Sequence, residues 1–247
     1  MTKKMTSEEL KNLILHGNVE ILKEVMESVH PADILDILHD DEESTKEILE
    51  HLPNEVIGDI LDEEDDEETI YEWLNLFSKY KQKQILNEVS NDVITDLIGA
   101  LEDDKKEEIL KLLAQDDKED VEQLLQYDPE TAGGIMTTEY IDIRAKNTVK
   151  DTLLFLQQNT EEDARYYLYV VDQDNVLKGV VSLRDLVTSP FDTPMMEITN
   201  QNVKSILYYE DQEEVAKTFS KYGFILMPVV DEENHLLGVI DFDDVMD

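Results

Sequence analysis

The chain of 247 residues has no cysteine. That removes disulfides, thiol catalysis and zinc–thiolate centres and favours an intracellular setting. Positive charge is scarce: 21 Lys and Arg stand against 60 Asp and Glu, a formal net charge of −39. Nucleic acid and anionic lipid are bound through clustered Lys and Arg, so neither is an expected partner. Long apolar runs are missing. The longest, near Phe224–Val230, is far short of the roughly 20 residues a membrane-spanning helix needs. Met1–Leu10 is polar, without the apolar segment of a secretory leader. The five histidines, His16, His30, His39, His51 and His235, show no HxxxH or HExxH spacing, and no G-x-x-x-x-G-K-[ST] phosphate loop occurs. An enzyme is the least supported class.

What is present in excess is carboxylate. Such a surface attracts cations and repels itself, with screening by counterions over a Debye length of about 8 Å at physiological salt. A 41% hydrophobic content is enough for a real core in one or two domains. Residues 6–126 carry helical periodicity throughout. Thr6 or Ser7 caps a first helix with Leu10, Leu13 and Ile14 on one stripe, continued by Val19, Leu22, Val25 and Met26. Short units follow at His30–Leu38, Leu52–Leu61 and Ser90–Ile98, each opened by a proline or a polar cap. Further helical segments lie at Thr45–Leu52, Thr69–Phe77, Lys83–Val89 and Lys105–Leu113. Helices of two or three turns are not stable alone, so they must stack, which predicts an α-helical superhelix. Trp73 and Phe77, four residues apart, read as core. Asp62–Glu68, seven consecutive acids, reads as a solvated loop that sets the long-range field.

Tyr127–Tyr140 breaks the pattern. Asp128-Pro129 favours stopping a helix, and Gly133-Gly134 permits backbone closed to other residues; the stretch is either a linker or a joint whose angle matters. Beyond it the chain is duplicated. Tyr169–Asp172 and Leu177–Leu186 recur, 59 residues on, as Pro228–Asp231 and Leu236–Val245. Each unit reads as strand, polar hairpin, strand and helix start, preceded by a helix at Val149–Gln157 or Glu213–Lys221. The first unit has about four extra residues near Thr160–Arg165. Units this small must pack as a pseudo-twofold pair to bury their sheets.

The duplicated units, with their Gly-x-x-x-Leu-x-Asp-type endings, resemble a tandem pair of CBS (cystathionine-β-synthase-type) domains. Thr131–Thr137 (Thr-Ala-Gly-Gly-Ile-Met-Thr), Tyr167–Asp172, Val181–Leu186, His30–Asp33 and Asp211–Ala216 together resemble the cytosolic region of the MgtE family of magnesium channels, over essentially the whole chain. The resemblance implies a helical superhelix at 1–126, a joint at 127–140, and an α/β tandem CBS-domain pair at 137–199 and 200–247. In that family a connecting helix and a membrane pore follow, so the chain is expected to be the cytosolic part of a longer protein at the inner face of the cell membrane. CBS pairs commonly associate face to face, implying a homodimer through 137–247.

The resemblance also implies where magnesium binds. Mg²⁺ takes oxygen ligands, keeps several waters and usually meets only one or two carboxylates directly. The matching positions are Asp59, Asp92 and Asp96 on the helical side, and Asp211, Glu213, Asp244 and Asp247 on the CBS side. Gly133 matches a carbonyl ligand in the joint. The family pattern can place an acid after the second CBS helix, where this chain has Gly223. Read on their own, Asp92 and Asp96 share one helix face and are what solvated surface usually shows, and Asp59, Asp211 and Asp244 read as helix-end acids favoured by the macrodipole; only the resemblance lifts them above that.

Ser182-x-x-Asp185 resembles the ribose-binding pattern of nucleotide-binding CBS units. With Arg184 beside it, and Tyr169 or Phe224 to flank an adenine, ATP or AMP is a candidate ligand. In the second unit Asp241 takes the Ser/Thr position. Three readings follow. One is a Mg²⁺ sensor in which the ion bridges acidic faces and favours a closed state. The others are an adenine-nucleotide sensor, and a scaffold whose superhelix exposes an apolar groove.

Overall fold

The computed structural model describes residues 5–17, 26, 28–158, 167–242 and 245. By internal contacts the chain divides into Met1–Val121 and Glu122–Asp247.

The first unit is all helix: Ser7–His16, Pro31–Asp40, Thr45–His51, Asn54–Asp62, Glu67–Leu74, Lys79–Leu86, Asn91–Ala100 and Asp103–Leu110, with Gln115–Leu124 running across the division. The starts are where local chemistry puts them. Thr6 and Glu9 form a reciprocal capping box. His30 caps the second helix through its Nδ1, with Pro31 at the first helical position. Much of the packing skips a helix: Pro31–Asp40 lies on Asn54–Asp62, that helix on Lys79–Leu86, and Glu67–Leu74 on Asn91–Ala100, while Asp103–Leu110 packs on its neighbour Asn91–Ala100. That stacking makes a superhelix and gives short helices the tertiary partners they lack singly. Its core runs from Leu10 to Val121, with Trp73 and Phe77 packed against it.

The seven-acid run is mostly exposed, with residues 63–66 outside any helix, but three of its carboxylates, Asp62, Glu64 and Asp66, are engaged by the fold. Asp62 ends one helix, and its Oδ1 accepts from the Ser90 amide and hydroxyl, each at 3.0 Å, tying that end to the start of Asn91–Ala100. Glu64 is buried, with Oε2 2.8 Å from His39 Nε2. Asp66 caps the next helix by accepting from the Thr69 amide and hydroxyl, which holds its carboxyl below the usual range. Glu67 and Glu68 form the first helical turn, where negative charge meets the positive end of the helix dipole.

The second unit holds two three-stranded sheets of the same design. β1 (Asp142–Arg144) runs parallel to β2 (Tyr167–Val171), which is antiparallel to β3 (Leu177–Ser182). β4 (Ile206–Leu207), β5 (Leu226–Val230) and β6 (Leu236–Asp241) repeat it. The duplication holds to the single residue. Tyr169 pairs Val180 as Pro228 pairs Val239, and both ladders slip at matching places, Val170/Val171 and Val229/Val230. β1 and β4 are not apparent from the sequence; two or three residues are too few to show alternation. Helices Val149–Gln158 and Gln212–Tyr222 precede the hairpins. The four-residue insertion falls outside the described residues, as do Val19, Leu22 and Val25 of the stripe that ends at Met26.

Within this second unit the two sheet repeats meet through their hairpins. Asn175 and Asn234 both take left-handed backbone (φ 64° and 66°), which asparagine tolerates. Asn234 O accepts from the Leu177 amide and Asn175 O from the Leu236 amide, at 2.9 and 3.0 Å. Each asparagine Nδ2 then donates to the opposite leucine carbonyl at 2.8 Å. The units also exchange edges: Thr137 bridges Val239 of the second sheet, and Asn200 bridges Val180 of the first.

Tyr127–Tyr140 is built into this second unit. The Ala132 amide donates to Glu210 O, the Gly133 amide to Tyr208 O and the Gln212 amide to Glu130 O. Ala132 and Met136 lie fully buried beside Phe219 and Val229. Gly134 is there for space: a Cβ would stand 2.3 Å from Asp128 O and 2.5 Å from Pro129 Cα.

Candidate metal and nucleotide sites

Asp59 is an exposed acid on Asn54–Asp62, while Asp92 and Asp96 lie one turn apart on Asn91–Ala100. Asp92 differs from its neighbour. Its Oδ1 is buried without a hydrogen-bond partner among the described residues, whereas Asp96 is exposed and, like Asp59, engaged. A buried carboxylate oxygen without a donor is costly unless a cation or proton meets it, so Asp92 fits the hard-oxygen chemistry of Mg²⁺.

In the second unit Asp211 caps Gln212–Tyr222, accepting from the Glu213 amide at 2.9 Å through Oδ1 alone. Glu213 is exposed, 3.9 Å from Lys217. The Lys217 ammonium is pushed up by its bond to Glu214 and by the field of Glu214, Glu213 and Asp211. Gly133 is buried, and its carbonyl accepts no backbone hydrogen bond among the described residues. Asp244 and Asp247 lie outside the described residues.

Gly223 takes left-handed backbone (φ 66°) at the end of Gln212–Tyr222. The charge around it is positive. Lys204 and Lys221 stand 4.3 and 5.1 Å from the Tyr222 ring centre and draw the Tyr222 phenol down. Elsewhere the crowding of acids is visible at Asp120, whose carboxyl is pushed up first by burial and then by Asp117, Asp116 and Glu119.

Ser182 caps the helix Leu183–Thr188 (hydroxyl 2.6 Å from Asp185 Oδ2), and the Asp185 amide donates back to Ser182 at 3.1 Å. Asp185 and Arg184 are exposed. Tyr169 is placed differently: only 3% exposed, its ring lies edge-on to Tyr140 in the core between the units. Phe224 stacks on Tyr222, with centroids 5.5 Å apart.

One cluster was not singled out from the sequence. Ligand-type atoms of Asp231, Glu233 and His235 lie within 4.8 Å of one another on the second hairpin. The signal that finds it is a comparison of the two hairpins, because His235 stands where the first has Val176.

A superhelix of short helices leading into a CBS pair, with exposed carboxylates on both, defines an acidic CBS-containing module. Comparison with known proteins gives the family. Residues 29–130 match the MgtE intracellular N domain, and 132–191 and 195–247 match the CBS domain. The chain is 37% identical to the magnesium transporter MgtE of Thermus thermophilus, over 96% of this chain and 54% of that one. It is 45% identical to the Enterococcus faecalis magnesium transporter MgtE, over 51% of this chain and 28% of that one. Among solved structures, the soluble part of a magnesium transporter superposes with a TM-score of 0.86 at 32% identity, covering 97% of this chain and 95% of that one. The cytosolic domain of the Mg²⁺ channel MgtE in complex with ATP gives 0.85 at 35% identity, covering 97% and 98%. The chain belongs to the MgtE family. It spans about half the length, or less, of these curated relatives, and among the described residues no helix is long and apolar enough to cross a membrane.

Proposed function

We propose that the chain is the cytosolic Mg²⁺-sensing part of a magnesium channel or transporter, coupled to its own membrane pore. Mg²⁺ neutralises and bridges carboxylates of the helical domain (Asp59, Asp92, Asp96) and of the second CBS unit (Asp211, Glu213, Asp244, Asp247), with the Gly133 carbonyl as a further oxygen, and so favours the closed state. The observation that carries this reading is the unpartnered, buried Oδ1 of Asp92. The scaffold reading loses ground, because among the described residues of the helical unit only Met5 and Tyr80 are large apolar side chains left exposed.

A homodimer is part of the proposal. Leu154, Phe155, Val187 and Phe191 are exposed on the first CBS unit. At the 63-residue offset that relates the caps Thr148 and Asp211, Leu154 and Phe155 correspond to Lys217 and Thr218. Leu154 and Phe155 thus have no apolar counterpart in the second CBS unit, and a second copy is the partner that covers them.

Small-angle scattering tests both points. The radius of gyration is expected to fall on adding millimolar Mg²⁺, and Asp92→Ala with Asp244→Ala to abolish the change. Forward scattering is expected to give a dimer, returned to monomer by Leu154→Glu with Val187→Glu. An Mg²⁺-independent radius in the wild type rejects the sensor.

A second reading, nucleotide binding at Ser182, Arg184 and Asp185, is favoured by the exposure of the Asp185 carboxylate at a helix start and by the ATP complex of the solved relative. Calorimetry with ATP and AMP is expected to show heat that Asp185→Asn removes; titrations without heat eliminate the nucleotide.

A further inference from the structure

Glu64 lies in the middle of the acidic run, and burial sets it apart. Among the described residues it is the only buried acid, 8% exposed. Its two oxygens are treated differently. Oε1 accepts from the Asp66 amide at 3.1 Å. Oε2 has no hydrogen-bond partner among the described residues, although His39 Nε2 stands only 2.8 Å away. The two atoms are in contact without a hydrogen bond between them.

A buried carboxylate oxygen without a donor is costly unless a cation meets it. The spacing of the pair is that of neighbouring ligands on one ion. Nitrogen and oxygen each about 2.0–2.1 Å from a metal, and at right angles, stand about 2.9 Å apart. Access is open from one side, because the His39 side chain is half exposed while Glu64 stays dry. Asp66 is near enough to feel the charge of the imidazole, so the field at the pair favours a positive ion. The donor set selects its class. Imidazole nitrogen with one carboxylate suits Zn²⁺, Ni²⁺ and Cu²⁺, whereas Mg²⁺ takes oxygen ligands.

We propose that His39 Nε2 and Glu64 Oε2 hold a divalent first-row transition-metal ion, with water completing its shell. The ion ties the last turn of Pro31–Asp40 to the run that joins Asn54–Asp62 to Glu67–Leu74. It lies beside Trp73, whose ring centre is 5.9 Å from that of His39. The site uses none of the carboxylates assigned to Mg²⁺ and is independent of that reading.

Trp73 is the one tryptophan of the chain, so its fluorescence reports on the site directly. The test titrates Ni²⁺ into the full chain at constant ionic strength, with millimolar Mg²⁺ present throughout to fill all-oxygen sites. The emission is expected to fall saturably, quenched by a paramagnetic ion beside the ring. His39→Gln and, separately, Glu64→Gln should each weaken the apparent affinity by about tenfold or more, since even outer-shell partners of a metal are typically worth that much. His39→Gln carries the test if Glu64→Gln alters the far-UV circular dichroism. Zn²⁺, which is diamagnetic, should move the His39 Nε2 resonance in nitrogen NMR. The absence of a saturable quench, or a quench that His39→Gln leaves unchanged, overturns the proposal and leaves His39 and Glu64 as an ion pair only.

Discussion

Gly179→Ala is expected to destabilise the second unit by about 3 kcal/mol or more, combining backbone strain with overpacking at roughly 1–3 kcal/mol each. Gly179 has φ 151°, and a Cβ there would stand 2.3 Å from Asn200 O and 2.9 Å from Asn200 C. Neither atom belongs to a side chain that can turn away. Asn200 and Val180 exchange both backbone hydrogen bonds, at 2.9 and 3.1 Å, so relieving the clash breaks the bridge that completes the first sheet. The twin, Gly238, tests the argument. Its Cβ would meet the flexible Met136 sulfur and Thr137 O, both at 2.7 Å, without a left-handed φ, so Gly238→Ala should cost less. Urea unfolding followed by far-UV circular dichroism measures both, and equal losses would refute the role given to φ.

Phe219→Ala is expected to cost about 3–5 kcal/mol, the range for truncating a buried aromatic. Phe219 is fully buried on Gln212–Tyr222 among Ala132, Met136, Ile206 and Met227, so the cavity opens where the joint enters the core. The loss should be confined to one unit. Trp73 is the one tryptophan of the chain and belongs to the helical unit. Its fluorescence transition is expected to stay near the wild-type midpoint while the circular-dichroism signal of the CBS pair moves to lower denaturant. Coincident shifts of both signals would mean that the units unfold as one.

Much of this architecture could be read from the chain because its signals are local or repeated. Thr6 and His30-Pro31 mark helix starts through chemistry within a few residues, whereas Ser90, a polar start by sequence, gives its hydroxyl to Asp62 and not to its own helix; the 59-residue repeat marks both hairpins and their register. What stayed hidden depends on partners far away. Asp62–Glu68 reads as solvent-facing by composition, yet Asp62 is held by Ser90 and Glu64 by His39, contacts with no trace in the run itself. Tyr127–Tyr140 reads as a joint from its proline and glycines, yet those glycines allow close packing: Gly133 against Tyr127 and Tyr208, Gly134 against Asp128 and Pro129. Among the site residues, composition does not separate Asp92 from Asp96. The difference is one buried oxygen, set by packing.

The exchanged edges also bear on how the protein is made. Thr137 leaves the ribosome about a hundred residues before Val239, the strand residue it bridges, and Ala132 and Met136 are sealed by side chains synthesised as late as Ile240. The first sheet likewise waits for Asn200. Contacts of such long sequence separation form slowly, and chains that expose apolar surface and open sheet edges meanwhile are prone to aggregate. During translation the helical unit can fold early on its local contacts, whereas the CBS pair closes late and nearly all at once. The nascent chain is therefore most vulnerable in the interval between those two events.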